Sequence, residues 1–294
     1  MKALVAVDWG TSSLRVARIG EDGTVLEERG NPRGILTVPA GGFPQVLDET
    51  CGDWLRQAPG ELCLVSGMAG SRQGWVEAPY CACPAGFGEI GAHLQWIDAR
   101  TAIVPGLSCE HDGVPDVLRG EEVQVFGAMS LLDQTEGLFV LPGTHSKWVR
   151  VEGGRVQSFS TWMSGEFYAL LRQHSILART LPAEDGPLDE DAFRQGLAQA
   201  AGSGSLLRAA FSARTLSLFD RMPAAGMPSY LSGLVIGEEL RAQPRAASPV
   251  TVIGSATLAQ RYASALTWQG TASRCLGAEA TWRGLWRIAR GVQA

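Results

Sequence analysis

The sequence predicts a mixed α/β protein made of two domains. Short β-like runs alternate with helical stretches, and the 294 residues are enough for two domains of ordinary size. A strand that ends in a Gly-Thr turn occurs near the N-terminus and again about 130 residues later, as if one domain plan were used twice. These observations favour domains at residues 1–134 and 135–294.

The hydrophobic pattern predicts the individual elements in chain order. In the first half the predicted strands are 3–8, 14–19, 24–30, 62–66 and 101–104, and the predicted helices are 43–57 and 119–133. In the second half the predicted strands are 137–141, 146–151, 154–160 and 250–253, and the predicted helices are 164–177, 190–200, 204–217, 232–242, 256–267 and 277–290. A second strand follows each Gly-Thr turn directly, which predicts a β-hairpin at both places.

The composition excludes several classes of protein. Apolar residues make up 45% of the chain and charged residues 19%, which is typical of a globular enzyme. A net charge of −5 without a basic run argues against a nucleic-acid partner. No apolar run approaches the roughly 20 residues that span a bilayer, so no membrane partner is expected. The six cysteines include no Cys-x-x-Cys pair, and we therefore expect reduced thiols and a cytoplasmic location.

The first Gly-Thr turn carries a carboxylate beside a potential phosphate site. Asp8 stands at the carboxyl end of the first strand, where α/β sheets usually bind ligands. Gly10, Thr11 and Ser12 follow it, and successive N–H groups of such a turn can bind anionic oxygens. A carboxylate next to phosphate requires a cation between them, so Asp8 is predicted to orient hydrated Mg²⁺. Taken alone, the segment also fits an ordinary hairpin turn.

The second Gly-Thr turn repeats this pattern and adds two side-chain donors. Gly143-Thr144 corresponds to the first turn, and His145 and Lys147 are further candidates for phosphate binding. A solvated strand residue at Lys147 and a structural histidine at His145 are equally open. Two such hairpins on either side of a cleft would hold a polyphosphate. Gly254-Ser255, between a strand and a helix, is a candidate for contact with adenosine.

Carboxylates at a predicted helix start supply candidates for a general base. Phosphoryl transfer to an alcohol needs a carboxylate that accepts the hydroxyl proton. Glu121 is the first choice and Asp116 the second. The alternative is that the acidic residues, Glu122 among them, only complement the helix dipole.

A polar segment after the fourth predicted strand is a candidate acceptor site. Ser71, Arg72, Gln73 and Trp75 are interleaved with glycines there. A guanidinium group matches a carboxylate, and an amide matches sugar hydroxyls, so the segment indicates a polar and acidic acceptor. Arg119, just before Glu121, is a further substrate-binding candidate.

These segments resemble the sugar kinase, Hsp70 and actin superfamily, whose two phosphate motifs and adenosine motif occur in this order. Arg119–Glu122 resembles the Gly-Asp-Gln segment of its carbohydrate kinases, with glutamate where the base is aspartate. More closely, the chain is similar to the 2-dehydro-3-deoxygalactonokinase family. The segments that carry this similarity are Asp8–Arg15, Gly67–Trp75, Leu118–Glu122, Leu141–Trp148, His174–Leu177 and Tyr230–Gly237.

The resemblance implies a two-domain sugar kinase/Hsp70/actin fold, which is ribonuclease H-like, with a central ATP cleft. It also implies ATP and Mg²⁺ as cofactors and phosphorylation of 2-dehydro-3-deoxy-D-galactonate at its terminal hydroxyl, in galactonate breakdown. A homodimer is a reasonable expectation from the family. Two alternatives stay open: a kinase of the same fold with another acidic acceptor, such as a different 2-oxo-3-deoxy acid or pantothenate, and an actin- or Hsp70-like regulatory ATPase.

Overall fold

The computed structural model describes residues 3–243, 246 and 248–292. Its strands are β1 (Leu4–Trp9), β2 (Leu14–Ile19), β3 (Val25–Asn31), β4 (Leu62–Gly67), β5 (Cys81–Ala82), β6 (Gln95–Trp96), β7 (Thr101–Ile103), β8 (Leu107–His111), β9 (Val114–Leu118), β10 (Gly137–Leu141), β11 (Ser146–Glu152), β12 (Arg155–Trp162), β13 (Val250–Ile253) and β14 (Ser273–Leu276). Its helices are α1 (Phe43–Gln57), α2 (Phe87–Ala92), α3 (Glu121–Leu132), α4 (Ser164–His174), α5 (Glu190–Ser203), α6 (Leu206–Ala209), α7 (Phe211–Leu218), α8 (Met227–Arg241), α9 (Ala256–Trp268) and α10 (Glu279–Val292).

The strands form three sheets. A six-stranded sheet has the order β3-β2-β1-β4-β7-β6, a five-stranded sheet the order β12-β11-β10-β13-β14, and a small sheet the order β5-β8-β9. Strand β1 pairs antiparallel with β2, so that Asp8 lies opposite Arg15, and parallel with β4, so that Asp8 also lies opposite Ser66. The mixed α/β class and the first predicted hairpin are thereby confirmed.

Contacts divide the chain into two compact units. The first unit contains the chain up to Phe139, then Trp148–Ser160, and finally the chain from Leu276 onward. The second unit contains Val140–Lys147 and Thr161–Cys275. We keep the division into domains 1–134 and 135–294 as a proposal. In the described part of the chain, no helix combines the length and apolar character that crossing a membrane requires.

Helix α3, which carries the predicted base, is fixed in the first unit by close packing against α10. A Cβ on Gly127 would lie 1.7 Å from the carbonyl oxygen of Ala280, and a Cβ on Gly284 would lie 1.9 Å from that of Val123. Only glycines permit two helix backbones to approach this closely. The position of the first turn of α3 therefore depends on a helix about 150 residues away in sequence.

Several predicted elements agree with the structure to within a residue or two, and others differ for identifiable reasons. The predicted helix 164–177 ends at His174, because Ser175 accepts a hydrogen bond from the N–H of Leu177 and starts a short 3₁₀ turn. The predicted helix 204–217 is broken into α6 and α7. Helix α8 begins at Met227, five residues before the predicted start at residue 232, since Pro228 is tolerated in the first turn, where its missing N–H costs nothing.

Candidate functional site

The first Gly-Thr turn presents polar side chains at the end of the β1–β2 hairpin. The N–H of Gly10 donates to the carbonyl of Ser13 at 2.9 Å, which closes the turn. Thr11 and Ser12 are exposed beyond it. A Cβ on Gly34 would lie 2.2 Å from the carbonyl oxygen of Thr11, so the following loop packs directly on the turn. The backbone of this turn is thus held in one conformation from both sides.

Asp8 is brought to the same edge of the sheet as the start of α3. Gly67, at the end of β4, has a φ of +92°, and a Cβ there would lie 3.5 Å from Oδ1 of Asp8. Gly120, with a φ of +102°, immediately precedes α3, and a Cβ there would lie 3.3 Å from the Cα of Gly67. Because both glycines use conformations that other residues rarely adopt, the close approach depends on them. Oδ2 of Asp8 accepts a hydrogen bond from Nε of Arg15 at 3.2 Å.

The two glutamates at the start of α3 lie in different surroundings. Oε2 of Glu121 accepts a hydrogen bond from the N–H of Arg119 at 2.9 Å, and the residue is partly exposed. Oε2 of Glu122 accepts from the N–H of Gly120 at 2.6 Å, but the residue is fully buried and its Oε1 has no hydrogen-bond partner. Burial, together with the charge of Glu121, raises the pKa of Glu122 to about 8. Only Glu121 of this pair can touch a substrate.

The raised pKa of Glu122 predicts how stability depends on pH. An unfolded glutamate has a pKa near 4.5, whereas folding raises that of Glu122 to about 8. Between these values the folded chain holds a proton at Glu122 that the unfolded chain has lost, so the contribution of Glu122 to stability becomes less favourable as the pH rises from about 4.5 to about 8. The glutamine of E122Q stays neutral at every pH. We therefore expect the Tm of E122Q to decrease less than that of the wild type between these pH values.

Thermal unfolding at both ends of this range would check the expectation. At the lower pH position 122 is neutral in both folded proteins, so a difference there measures only how well an amide replaces the acid. Parallel Tm curves for the wild type and E122Q would contradict a neutral, buried Glu122.

Asp116 lies in β9 of the small sheet, opposite Cys109, and its Oδ1 accepts a hydrogen bond from the N–H of Val117 at 2.7 Å. This places the second candidate base on a different sheet from Asp8. Glu121, by contrast, follows directly on the Gly120–Gly67 contact. The geometry therefore supports Glu121 over Asp116.

The predicted acceptor segment forms a loop, and the buried side chain of Arg119 contacts the inner side of this loop. Arg119 is buried, and its Nη2 donates to the carbonyl of Ala78 at 2.7 Å. Its guanidinium group lies 4.4 Å from the ring centroid of Tyr80, within cation–π range. Nε and Nη1 are buried without a hydrogen-bond partner, as is Oγ of Ser71. Arg119 and Ser71 therefore belong to the inner side of the loop.

The other acceptor candidates divide between the core and the surface. The ring of Trp75 stacks on Phe43 at 6.2 Å and meets the edge of Trp9, as part of the core. Arg72 and Gln73 are exposed, and the side chain of Arg72 is 83% accessible. Nε of Arg72 donates to Glu77 at 2.9 Å, but both partners are largely solvated, so the pair is weak and easily exchanged.

In the second unit, the second Gly-Thr turn lies against the start of α4. A Cβ on Gly165 would lie 2.3 Å from the carbonyl oxygen of Gly143, and the N–H of Glu166 donates to the carbonyl of Thr144 at 3.0 Å. Nε2 of His145 lies 2.6 Å from Oε2 of Glu166, on the surface. The helix thereby fixes the backbone of the turn, and it gives His145 a structural partner.

Lys147 is a buried strand residue rather than a solvated one. Only 7% of it is exposed, and its Nζ donates to Oγ1 of Thr161 at 2.8 Å. A role in phosphate binding remains a prediction for this side chain. The candidate adenosine turn lies close by, since a Cβ on Gly254 would be 3.6 Å from Cδ of Pro142. Ser255 is exposed at the start of α9.

A small, partly open cavity lies beside the second turn. Apolar side chains of α8 and α9 dominate its walls, and Nη1 of Arg261 donates to Oγ of Ser232 at 3.2 Å. The lining residues are Gly143, Ser164, Gly165, Tyr168, Ser232, Val235, Ile236, Leu258, Arg261 and Tyr262. The sequence assigned only Gly143 of these residues to a site, although Tyr230–Gly237 carries family similarity, because apolar residues of three helices look like ordinary core residues in the sequence.

The chain has the fold that sugar kinases share with actin and Hsp70-like ATPases. A solved structure assigned to an N-acetylglucosamine kinase from Porphyromonas gingivalis has this fold, with a TM-score of 0.52 at 14% identity over 99% of this chain and 100% of that one. The model of the 2-keto-3-deoxy-galactonokinase family matches residues 8–288, and the chain belongs to that family.

Two members of the family agree with this placement. A 2-dehydro-3-deoxygalactonokinase from Escherichia coli (strain K12) is 33% identical over 90% of each chain. A structure assigned to a 2-dehydro-3-deoxygalactonokinase protein from Sinorhizobium meliloti has a TM-score of 0.89, with 37% identity over 98% of this chain and 99% of that one. The resemblance inferred from the sequence motifs is thereby confirmed.

Proposed function

We propose that the chain transfers the terminal phosphoryl group of ATP to the C6 hydroxyl of 2-dehydro-3-deoxy-D-galactonate. The products are ADP and 2-dehydro-3-deoxy-6-phosphogalactonate, and the reaction belongs to galactonate breakdown. Membership of the family supports the acceptor. One observation carries the assignment to phosphoryl transfer. The close approach of Gly120 to Gly67 brings the partly exposed Glu121 to the edge of the sheet at which Asp8 lies.

The residues of the first unit fit Mg²⁺ bound to a nucleotide. Magnesium in phosphotransferases needs one or two carboxylates, with phosphate oxygens and water as the remaining ligands. The described residues contain no cluster of three His, Cys, Asp or Glu side chains that could hold a metal alone. Asp8 would supply the protein ligand through Oδ1, beside Gly67, while Arg15 holds Oδ2. The ion would neutralise charge on the transferring phosphate.

The residues of the second unit fit the nucleoside. The cavity beside Gly143 has apolar walls that suit a purine ring, and Arg261 and Ser232 offer polar groups. Gly254-Ser255 and the Gly143-Thr144 turn lie next to each other through Pro142. We propose that this cavity holds adenosine and that the two Gly-Thr turns bind phosphates, with Ser12, His145 and Lys147 as further contacts.

In the proposed mechanism the residues of the chain bind and orient the two substrates, and one of them accepts a proton. Glu121 accepts the proton of the acceptor hydroxyl as the new bond to phosphorus forms. Glu122, the next residue, is fully buried, and its raised pKa of about 8 keeps it neutral near pH 7, so it is not available as the base. Arg72 and Gln73 bind the carboxylate and hydroxyls of the acceptor. Arg119 and Trp75 hold the loop that carries them.

Coupled ADP release tests the proposed function directly. The protein is supplied with Mg²⁺-ATP alone, with 2-dehydro-3-deoxy-D-galactonate, and with its gluconate epimer. We expect ADP release that depends on the galactonate compound. ADP release with the epimer only would indicate a kinase of the same fold with another acceptor. ADP release that is independent of either acid would favour a regulatory ATPase. A homodimer and a cytoplasmic location remain expectations.

Recognition of the carboxylate by Arg72 gives a separate prediction. We expect Arg72→Ala to raise KM for the acid by about 10- to 100-fold, as for a lost hydrogen bond to a charged group, and to leave KM for ATP within about twofold. Glu77→Gln is the matched control, because it removes the negative charge that competes for Arg72 and should lower KM for the acid or leave it unchanged. Steady-state kinetics with each substrate varied would measure both. Equal increases in the two KM values for Arg72→Ala would count against the assignment.

A further inference from the structure

A buried glutamate in α8 binds three hydroxyl groups at once. Glu239 is 1% exposed. Its Oε1 accepts a hydrogen bond from Oγ of Ser146 at 2.8 Å, and its Oε2 accepts one from Oη of Tyr262 at 2.8 Å. Oγ of Ser164 also donates to Oε2. None of the four residues is more than 8% exposed, so the cluster is buried.

The three donors belong to three different elements around the cavity of the second unit. Ser146 follows the second Gly-Thr turn directly and begins β11. Ser164 is the first residue of α4, the helix end that packs on Gly143, and Tyr262 belongs to α9. Ser164 and Tyr262 both line the cavity, whereas Glu239 lies behind them. One carboxylate therefore connects the turn and two walls of the cavity.

A carboxylate suits the three hydroxyl donors of the cluster better than an amide does. An ionised carboxylate is an acceptor only, with enough lone pairs for three donors, whereas a glutamine amide replaces one oxygen by an N–H₂ donor. Burial and the charge of Glu239 raise the pKa of Tyr262 well above its ordinary value, which keeps its hydroxyl protonated as a donor. Because burying a carboxylate costs free energy, apolar packing of α8 alone would favour a different residue at this position.

We propose that Glu239 is a positioning residue for nucleotide binding, which fixes the second Gly-Thr turn, the start of α4 and the ring of Tyr262 in one arrangement. It does not touch the nucleotide. It acts through Ser164 and Tyr262, which form the wall, and through Ser146, which anchors the turn. The proposal rests on the proposed function, in which this cavity holds the adenosine of ATP.

The test compares Glu239→Gln with Glu61→Gln in the full-length protein. Glu61 is a matched control, because it is also a buried glutamate, 5% exposed and bound by Arg18, but belongs to the first unit. The readouts are Kd for a non-hydrolysable ATP analogue by titration calorimetry, KM for ATP, KM for the acid, and Tm. We expect E239Q to raise Kd and KM for ATP about tenfold, equivalent to about 1.4 kcal/mol, with KM for the acid within about twofold. E61Q should lower Tm without changing Kd.

A purely structural role would give a different pattern. In that case E239Q would lower Tm as E61Q does and leave Kd for the analogue unchanged, and this result would overturn the proposal. Should E239Q fail to fold, Tyr262→Phe removes one donor and keeps the ring, and we expect about a threefold rise in Kd. In that case an unchanged Kd of Y262F for the ATP analogue would overturn the proposal. Failure of the proposed function is distinguishable, because in that case the wild type itself would not bind the analogue.

Discussion

Replacement of Glu121 by glutamine is expected to lower kcat by about 10²- to 10⁴-fold, the usual contribution of a general base. Glu121 is partly exposed on the first turn of α3, and the N–H of Arg119 orients its Oε2. The amide keeps this hydrogen bond but cannot accept a proton. Binding of ATP and of the acid should change little, so the loss falls on kcat rather than on either KM.

Two neighbouring carboxylates serve as controls for this prediction. Glu122→Gln changes a residue of the same size on the same turn that is 0% exposed, and it should change kcat by less than about tenfold because it cannot touch the substrate. Asp116→Asn tests the second candidate in β9. If Asp116→Asn loses activity and E121Q does not, the base has been assigned to the wrong residue.

Replacement of Asp8 by asparagine is expected to lower kcat by about 10²- to 10³-fold, as when an oriented group that stabilises transition-state charge is removed. The asparagine oxygen is a poorer ligand for Mg²⁺, and no second carboxylate is assigned to the ion in the proposed site. Turnover measured over a range of Mg²⁺ concentrations should show that excess Mg²⁺ restores part of the loss.

The ion pair between Asp8 and Arg15 requires a separate control, because Asp8→Asn weakens it as well. Arg15→Gln breaks the same pair, with Arg15 37% exposed, and leaves the carboxylate in place. A surface pair of this kind contributes at most about 1 kcal/mol to stability. Near-normal turnover of D8N, or an equal loss in R15Q, would remove Asp8 from the metal site.

Local pattern was enough to predict the bounds of helix α1 and of strands β2, β10 and β13. Helix α1 buries one face, whereas β10 and β13 are short apolar runs that end at a Pro or Gly turn. The hairpin β8–β9 was missed, although it contains a strong turn signal. Asp112 and Gly113 have φ values of 51° and 81°, as a type I′ turn requires, but in the strands beside them only Leu107 and Leu118 are buried.

The sequence alone determined the class of fold, the family and the two Gly-Thr turns, because these depend on local strings of residues. It also named Glu121 and Asp8. What it could not supply was the relation between distant residues. Gly67 approaches Gly120, and Glu239 receives hydroxyl groups from three separate elements, only once the chain has folded.

Tertiary structure also decided which of several similar side chains is available. Glu121 and Glu122 are adjacent and chemically alike, yet burial leaves one able to meet a substrate and makes the other a neutral acid with a pKa of about 8. Arg119 is enclosed beneath a loop, while Arg72 is exposed upon it. Solvent exposure and the local dielectric depend on how the folded chain packs. A sequence pattern predicts them only where buried residues recur at the period of a helix or a strand.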